Sequence, residues 1–175
     1  MFDNIYFLGG IHCSGKGTTA EKILSKSSLI HLEASKVLKW EDISNRENKK
    51  VNNITFTQNK LVVNLEKIVT NDNQFLLDGH YCLINKQDEI EKVTLETFEK
   101  INPISLSIKI DEPTEIKKRL EQRDSKFYDL DFLIHFQDEE VKYAKFLADY
   151  LKKPLFILNQ DLENLLKHIK DENPS

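Results

Sequence analysis

A chain of 175 residues, 39% hydrophobic and 31% charged, is long enough to bury a full core and fits one domain, residues 1–175. Its formal charge of −4 supplies no overall basic field, so nucleic acid and anionic membranes are not expected partners; no apolar run approaches bilayer-spanning length. Cys13 and Cys82 form no metal or redox spacing, and Met1-Phe2-Asp3-Asn4 carries no basic leader pattern; a cytoplasmic protein with no evident protein partner is expected.

The chain alternates short β-type runs with helical patterns. Asn4 to Gly9 is an apolar run ending in glycines, a buried strand, and a helix follows from about Gly17 to Lys26. Leu29 to Leu32 reads as a second strand and Ala34 to about Ile43 as a helix, with a polar stretch from Asn45 to Lys50 behind it. Leu61, Val62, Leu65, Ile68 and Val69 recur at helical spacing between Thr55 and Val69, and Gln74 to Asp78 is a third strand. Tyr81 to Val93 admits two readings, a hairpin pairing Tyr81–Ile84 with Ile90–Val93 or a plain surface loop. Pro103 precedes a strand over Ile104 to Ile110, and Pro113 opens a helix to about Asp124. After the polar break Ser125 to Asp129 comes a long helix with Leu133, Phe136, Tyr143, Ala144, Leu147 and Leu151 on one stripe. A strand over Leu155 to Leu158 and a terminal helix close the chain, with Asp171 to Ser175 expected to fray. Strands separated by helices imply right-handed crossovers and a mostly parallel sheet of about five strands, covered on both faces. Ligands of such sheets bind beyond the carboxyl ends of the strands, which gathers Gly10–Thr18, Asp78–Cys82 and the region after Ile110 into one site.

The run GIHCSGKGT, Gly10 to Thr18, has glycine, four residues, glycine and lysine between a strand and a helix. A phosphate needs several N–H donors converging on one point, little side-chain bulk and a positive charge. Gly15 gives close backbone access, Lys16 reaches the β- and γ-phosphates of ATP or GTP, and the helix N-terminus adds its partial charge. The expected nucleotide-binding residues are Gly10, His12, Cys13, Ser14, Gly15, Lys16, Gly17, Thr18 and Thr19. Thr18 or its neighbour can offer Mg²⁺ a hydroxyl. Asp78, ending an apolar strand beside this loop, can hold the metal's waters; the competing reading is a turn cap. The fold class these features imply is a three-layer α/β P-loop NTPase or kinase fold.

GKGT, with glycine directly after the lysine, resembles the phosphate loop of adenylate kinases and related nucleoside monophosphate kinases. QFLLDGHY, Gln74 to Tyr81, is similar to the third strand and LDG signature of that family. LEASKVLK, Leu32 to Lys39, takes the place of its acceptor segment, and Arg119-Leu-Glu-Gln-Arg123 looks like the arginine-bearing start of its mobile lid. The resemblance implies in-line transfer of the ATP γ-phosphoryl group to a small acceptor, a nucleoside monophosphate first, with Mg²⁺. It implies catalytic roles for Lys16, Asp78, Arg119 and Arg123, an acceptor site at Lys39, Gly79 and His80, and a short lid near 119–130. Arg119 and Arg123, four apart on one helix face, suit charge spread over equatorial phosphate oxygens; pairing with Glu115 or with the acidic residues nearby on a solvated face is the alternative, and Lys126 is a weaker third cation.

The sequence departs from the family at named places. His12 and Cys13 stand for the usual proline and glycine, His80-Tyr81-Cys82 for FPR, and Lys39 for an arginine; the lid interval has no cysteine cluster. Two other classes therefore stay open, a small-molecule kinase with a non-nucleotide acceptor and a nucleotide-dependent ATPase or switch module. His12, Cys13, His80 and Cys82 could meet at the sheet edge, but match no zinc spacing; His80 and Tyr81 are better read as shaping the acceptor pocket, and Cys13 as oxidation-sensitive. Trp40 could stack on a base or simply pack, and Arg46, Lys49 and Lys50 form a basic stretch near the acceptor side or an ordinary solvated loop.

Overall fold

A computed structural model describes residues 2–38, 44–45, 50–51 and 54–172. Five parallel strands form its main sheet in the order β2-β5-β1-β8-β9: Ile30–Glu33, Phe75–Asp78, Ile5–Gly9, Ser105–Ile108 and Leu155–Ile157. The sequence of β1, IYFLG, is apolar throughout because both faces of the sheet are covered, and all five residues are buried. Alternate side chains divide between two cores. Ile5 and Phe7 join Leu77, Leu106 and Ile108 on one face, while Tyr6 and Leu8 join Leu76 on the other.

The helices supply the outer layers. α1 (Lys16–Leu24) and α7 (Leu162–Glu172) place Ala20, Ile23, Leu165, Leu166 and Ile169 against the Tyr6 face. α3 (Ile54–Ile68), α4 (Leu95–Ile101), α5 (Pro113–Asp124) and α6 (Leu130–Leu151) cover the Phe7 face. Their ends follow local chemistry. Pro113 opens α5, Asp129 caps α6 by accepting from the Phe132 N–H at 2.7 Å, and left-handed Ser125 and Lys152 stop the two helices. α2 is described over Ala34–Val37.

The expected strands and helices fall where their patterns placed them; one open reading is decided, and three differences appear. Residues 81–93 take the hairpin reading: β6 (Cys82–Ile84) pairs antiparallel with β7 (Ile90–Lys92), and the Asn85 side chain closes the turn by accepting from the Gln87 and Glu89 N–H groups. α4 was not expected, since seven residues carry little periodic signal. In the polar stretch, β3 (Ser44–Asn45) and β4 (Lys50–Val51) pair antiparallel instead of forming a plain loop. α7 continues to Glu172, past the expected onset of fraying, because Leu165, Leu166 and Ile169 anchor it. The second half of the helix expected from Ala34 to Ile43, with Lys39 and Trp40, and the basic residues Arg46 and Lys49 lie outside the described residues.

Candidate functional site

The register of the central strands sets the site. Leu8 of β1 lies opposite Asp78 of β5, the Gly79 N–H donates to the Leu8 carbonyl at 2.9 Å, and the Lys109 N–H donates to the Gly9 carbonyl at 2.9 Å. Three chain segments thus leave the sheet side by side at its carboxyl edge. The glycines of the first are sterically required. A Cβ on Gly9 would sit 2.2 Å from the Tyr81 ring, and one on Gly10, at φ +143°, would sit 2.6 Å from the Lys109 carbonyl oxygen. Cys13 and Gly15 also have positive φ, +61° and +90°, so the loop is tightly turned before α1 starts at Lys16, and the Ser14 N–H donates to the Ile11 carbonyl at 3.3 Å. Ser14 and Thr19 are buried, while Gly17 and Thr18 are exposed at the mouth.

Lys16 Nζ donates to the Asp78 carboxylate, whose other oxygen lies 3.7 Å from His31 Nε2. Asp78 therefore offers a carboxylate beside the phosphate loop, the arrangement that Mg²⁺ accepts through its waters. Among the described residues no group of three or more His, Cys, Asp or Glu side chains could hold a metal by itself. The donor set fits an ion coordinated mainly by phosphate oxygens and water.

Arg119 reaches the phosphate loop from α5. Its guanidinium donates to the Cys13 carbonyl at 2.7 Å and to Asp111 Oδ2 at 2.6 Å. Burial pushes the Asp111 carboxyl up, but the Arg119 hydrogen bond and the Glu112 N–H outweigh it and hold it below the usual carboxylate range. Arg123 is engaged elsewhere: its guanidinium makes a fork with Asp124, at 2.7 Å on both oxygens, and the Tyr128 hydroxyl donates to the same carboxylate at 2.5 Å. Both arginines are thus paired with acidic residues nearby, Asp111 and Asp124, while Glu115 binds Lys118. Arg123, Lys126 and Tyr128 border a cavity of about 580 Å³ floored by Ile11, Leu120 and Phe136.

On the other side of Lys16 a cavity of about 270 Å³ opens under α2 and α3. Phe7, Leu38, Leu61, Phe98 and Ile101 make its apolar wall; Lys16, Glu33, Asp78 and His80 make its polar end, with Gln58 from α3. Gly79 lines it too, its open position letting the Phe7 ring come within 3.2 Å of where a Cβ would be. Tyr81 corrects an expectation. Its ring is fully buried between Phe7 and Phe98 and its hydroxyl donates to the Ser107 carbonyl at 3.0 Å, so it supports the cavity from behind and does not line it. Cys82 is likewise buried, and burial followed by the Glu140 charge pushes its thiol far up, which makes it inert. His12 and His80 do approach, with ring centroids 4.6 Å apart, but the cysteines do not join them in a cluster that could hold a metal.

Sequence reading missed four side chains. Lys109, leaving β8, passes 3.3 Å from where a Gly15 Cβ would be and donates to Asn159 at 2.6 Å; burial lowers its pKa, partly opposed by Asp111. Glu33 lines the cavity from the acceptor-like segment without having been singled out there, and Gln58 from a helix that carries no motif. Glu140, in the middle of α6, is wholly buried and accepts from the Tyr81 N–H at 3.0 Å and the Cys82 N–H at 2.9 Å through one oxygen. Burial raises it to about 7, against the pull of the Cys82 N–H, Lys16, the Tyr81 N–H and the Gly10 backbone. An acid interrupting the apolar stripe between Phe136 and Ala144 was the available signal.

Residues 9–133, from the end of β1 into the first turn of α6, match the AAA domain family. The chain belongs to that family. The match contains the phosphate loop, Asp78 and both arginines. Solved structures similar to this member include a sugar kinase from Janibacter sp. (14% identity, 97% of this chain and 94% of that one, TM-score 0.52). A second is the YorR protein of Bacillus subtilis in complex with phosphorylated GDP (16% identity, 96% and 94% covered, TM-score 0.51). A third is a gluconokinase from Sinorhizobium meliloti (10% identity, 96% and 90% covered, TM-score 0.53). At these identities the likeness establishes the fold, a kinase-like P-loop α/β fold. No curated protein matches the sequence. Among the described residues no helix is long and apolar enough to cross a membrane.

Proposed function

We propose that this chain is an ATP-dependent phosphotransferase, a single P-loop kinase domain that moves the γ-phosphoryl group to a small molecule seated in the cavity beside Lys16. The observation that carries the reading is the shared position of Lys16. It ends the phosphate loop and at the same time lines the cavity with Asp78. Donor and acceptor phosphates or hydroxyls would therefore meet at one ammonium group, as in-line transfer requires.

In this reading the loop amides and Lys16 bind the donor, and the incoming phosphates take over the ammonium that Asp78 now holds. Asp78, through water, and Thr18 would hold Mg²⁺, which when bound would supply neutralisation of phosphate charge. Arg119 keeps the loop in shape through the Cys13 carbonyl, and Arg123 exchanges Asp124 for the transferring group as the lid over residues 119–130 closes. The acceptor's flat apolar part lies along Phe7 and Phe98, with Gly79 and His80 beside it. A nucleoside monophosphate, as in adenylate kinase-like enzymes, suits that wall through its base, with Lys39 on the segment after β2 to meet its phosphate. A hydroxyl-bearing, non-nucleotide acceptor is favoured by a different observation. The described polar end holds the carboxylates of Glu33 and Asp78 and no arginine, which suits removal of a hydroxyl proton better than binding of a dianion.

Incubation with ATP, Mg²⁺ and separate panels of nucleoside monophosphates, nucleosides and sugars, resolved by chromatography, decides between them. A diphosphate product assigns the first acceptor, a monophosphorylated alcohol the second. Free phosphate with no acceptor product would overturn the kinase reading in favour of an ATPase or switch.

A further inference from the structure

The turn from Gly79 to Cys82 joins β5 to the β6–β7 hairpin and carries His80 to the polar end of the cavity. It has a fastener from outside its own segment. Glu140 comes in from α6 with a side chain fully excluded from water, and its Oε1 takes both the Tyr81 and the Cys82 N–H. The same oxygen lies 3.9 Å from His80 Nδ1, and Oε2 makes no hydrogen bond. The cavity end of the turn is therefore held by one carboxylate that reaches through the core from a helix on the far side of the hairpin.

A buried acid is an expensive fastener. An apolar residue at position 140 would fit the stripe of Phe136, Tyr143 and Ala144, and the turn amides could be satisfied locally by a water or a side chain of the turn itself. What an acid on α6 adds is rigidity: it ties the turn to the long helix that begins directly after the lid interval 125–129. The Gly10 backbone lies close enough to favour the charged form, so the phosphate loop and the cavity turn converge on the same side chain.

We propose that Glu140 is a positioning residue of the phosphotransfer site, one that fixes the Gly79–Cys82 turn and thereby the His80 imidazole at the acceptor end of the cavity. It touches neither substrate. His80 is kept neutral in that place, because burial, then Lys16 and His12, lower its pKa. A neutral imidazole held still at the mouth of the cavity can give or take one hydrogen bond from the acceptor in a fixed direction. The inference uses the kinase reading only for the identity of the molecule that His80 meets.

Two replacements separate fastening from mere packing. Glu140→Gln keeps an oxygen for both amides, whereas Glu140→Met keeps volume and removes the acceptor. Leu147→Ala, one of the same helix's core residues remote from the turn, serves as the control for lost stability. Amide hydrogen exchange and the ring resonances of His80 are read in all four proteins without substrate. Fast exchange at residues 81 and 82 and an averaged, broadened His80 ring in Glu140→Met are expected, with Glu140→Gln near the natural protein and Leu147→Ala unchanged at both. With the acceptor found by the screen above, Glu140→Met should raise its KM about tenfold or more. Unchanged exchange and His80 resonances in folded Glu140→Met would overturn the proposal, as would equal changes in Leu147→Ala. If Glu140→Met does not fold, Glu140→Gln decides: the proposal requires it to retain the natural exchange and ring spectrum. Absence of any turnover would sink the kinase reading alone, because exchange and ring spectra need no substrate.

Discussion

Glu140 also makes a quantitative prediction about stability. Burial raises its carboxyl from 4.5 to about 7, so between those values the native chain keeps a proton that the unfolded chain has released. The unfolded state then binds fewer protons, and stability falls as pH rises through the interval. The stabilisation linked to this proton is complete below about pH 4.5 and gone above about pH 7.5. At about 1.36 kcal/mol per unit the loss is on the order of 3 kcal/mol, a large share of the 5–15 kcal/mol typical of a domain. Glutamine at position 140 cannot titrate. Urea denaturation of the natural protein and Glu140→Gln at several values between about pH 5 and about pH 8 should show the difference in unfolding free energy shifting by about 2–3 kcal/mol in favour of the glutamine variant. His80 works in the opposite sense, since its lowered pKa makes stability fall as pH drops below 6.5. Both chains carry it, so the difference removes it apart from the coupling between the two groups, which lie 3.9 Å apart. A difference constant to within about 0.5 kcal/mol across the range would refute the reasoning, and with it the claim that this acid is dry.

Four further outcomes are expected. Lys16→Ala should leave the chain folded and weaken ATP binding by about 1.5–3 kcal/mol, measured by calorimetry. Arg119→Lys cannot hold the Cys13 carbonyl and Asp111 together as a planar fork does, so ATP affinity should fall by about tenfold while the unfolding midpoint changes little. Arg123→Ala should lower kcat by roughly 10²-fold with the ATP dissociation constant nearly unchanged; a surface role would move neither. Gly9→Ala drives a methyl into the Tyr81 ring and should cost about 1–3 kcal/mol or more, seen as a fall in Tm.

The phosphate loop was legible because its backbone leaves few residue types free: glycine where the chain passes the Lys109 carbonyl, glycine again at a positive φ, and lysine at the first turn of a helix. α5 and α6 were legible from Pro113 and from one apolar stripe. What escaped has a common cause. The Arg119–Cys13 bond goes to a backbone carbonyl, which every residue type provides equally, so no sequence pattern announces it. The fork between Arg123 and Asp124 involves adjacent residues on a helix, a spacing that does not ordinarily bring side chains together. Glu140 meets amides some sixty positions earlier in the chain, a pairing that only the packing of α6 against β6 creates. Strands of two residues and a helix of seven are too short for periodicity to register.

The strand that ends in the phosphate loop is flanked by neighbours on both edges, β5 and β8, and sandwiched by helices on both faces. Its amides cannot exchange through fraying at a sheet margin; they must wait for the whole sheet to come apart. A nucleotide anchored to the end of such a strand is therefore linked to global unfolding, and its binding free energy should add to the stability of every part that opens with the sheet. At a ligand concentration about 100 times its dissociation constant that addition is about 2.7 kcal/mol. Melting in the presence of candidate compounds thus gives a chemistry-blind search, able to recover donors and acceptors from a mixed collection without any assay for what the protein does to them.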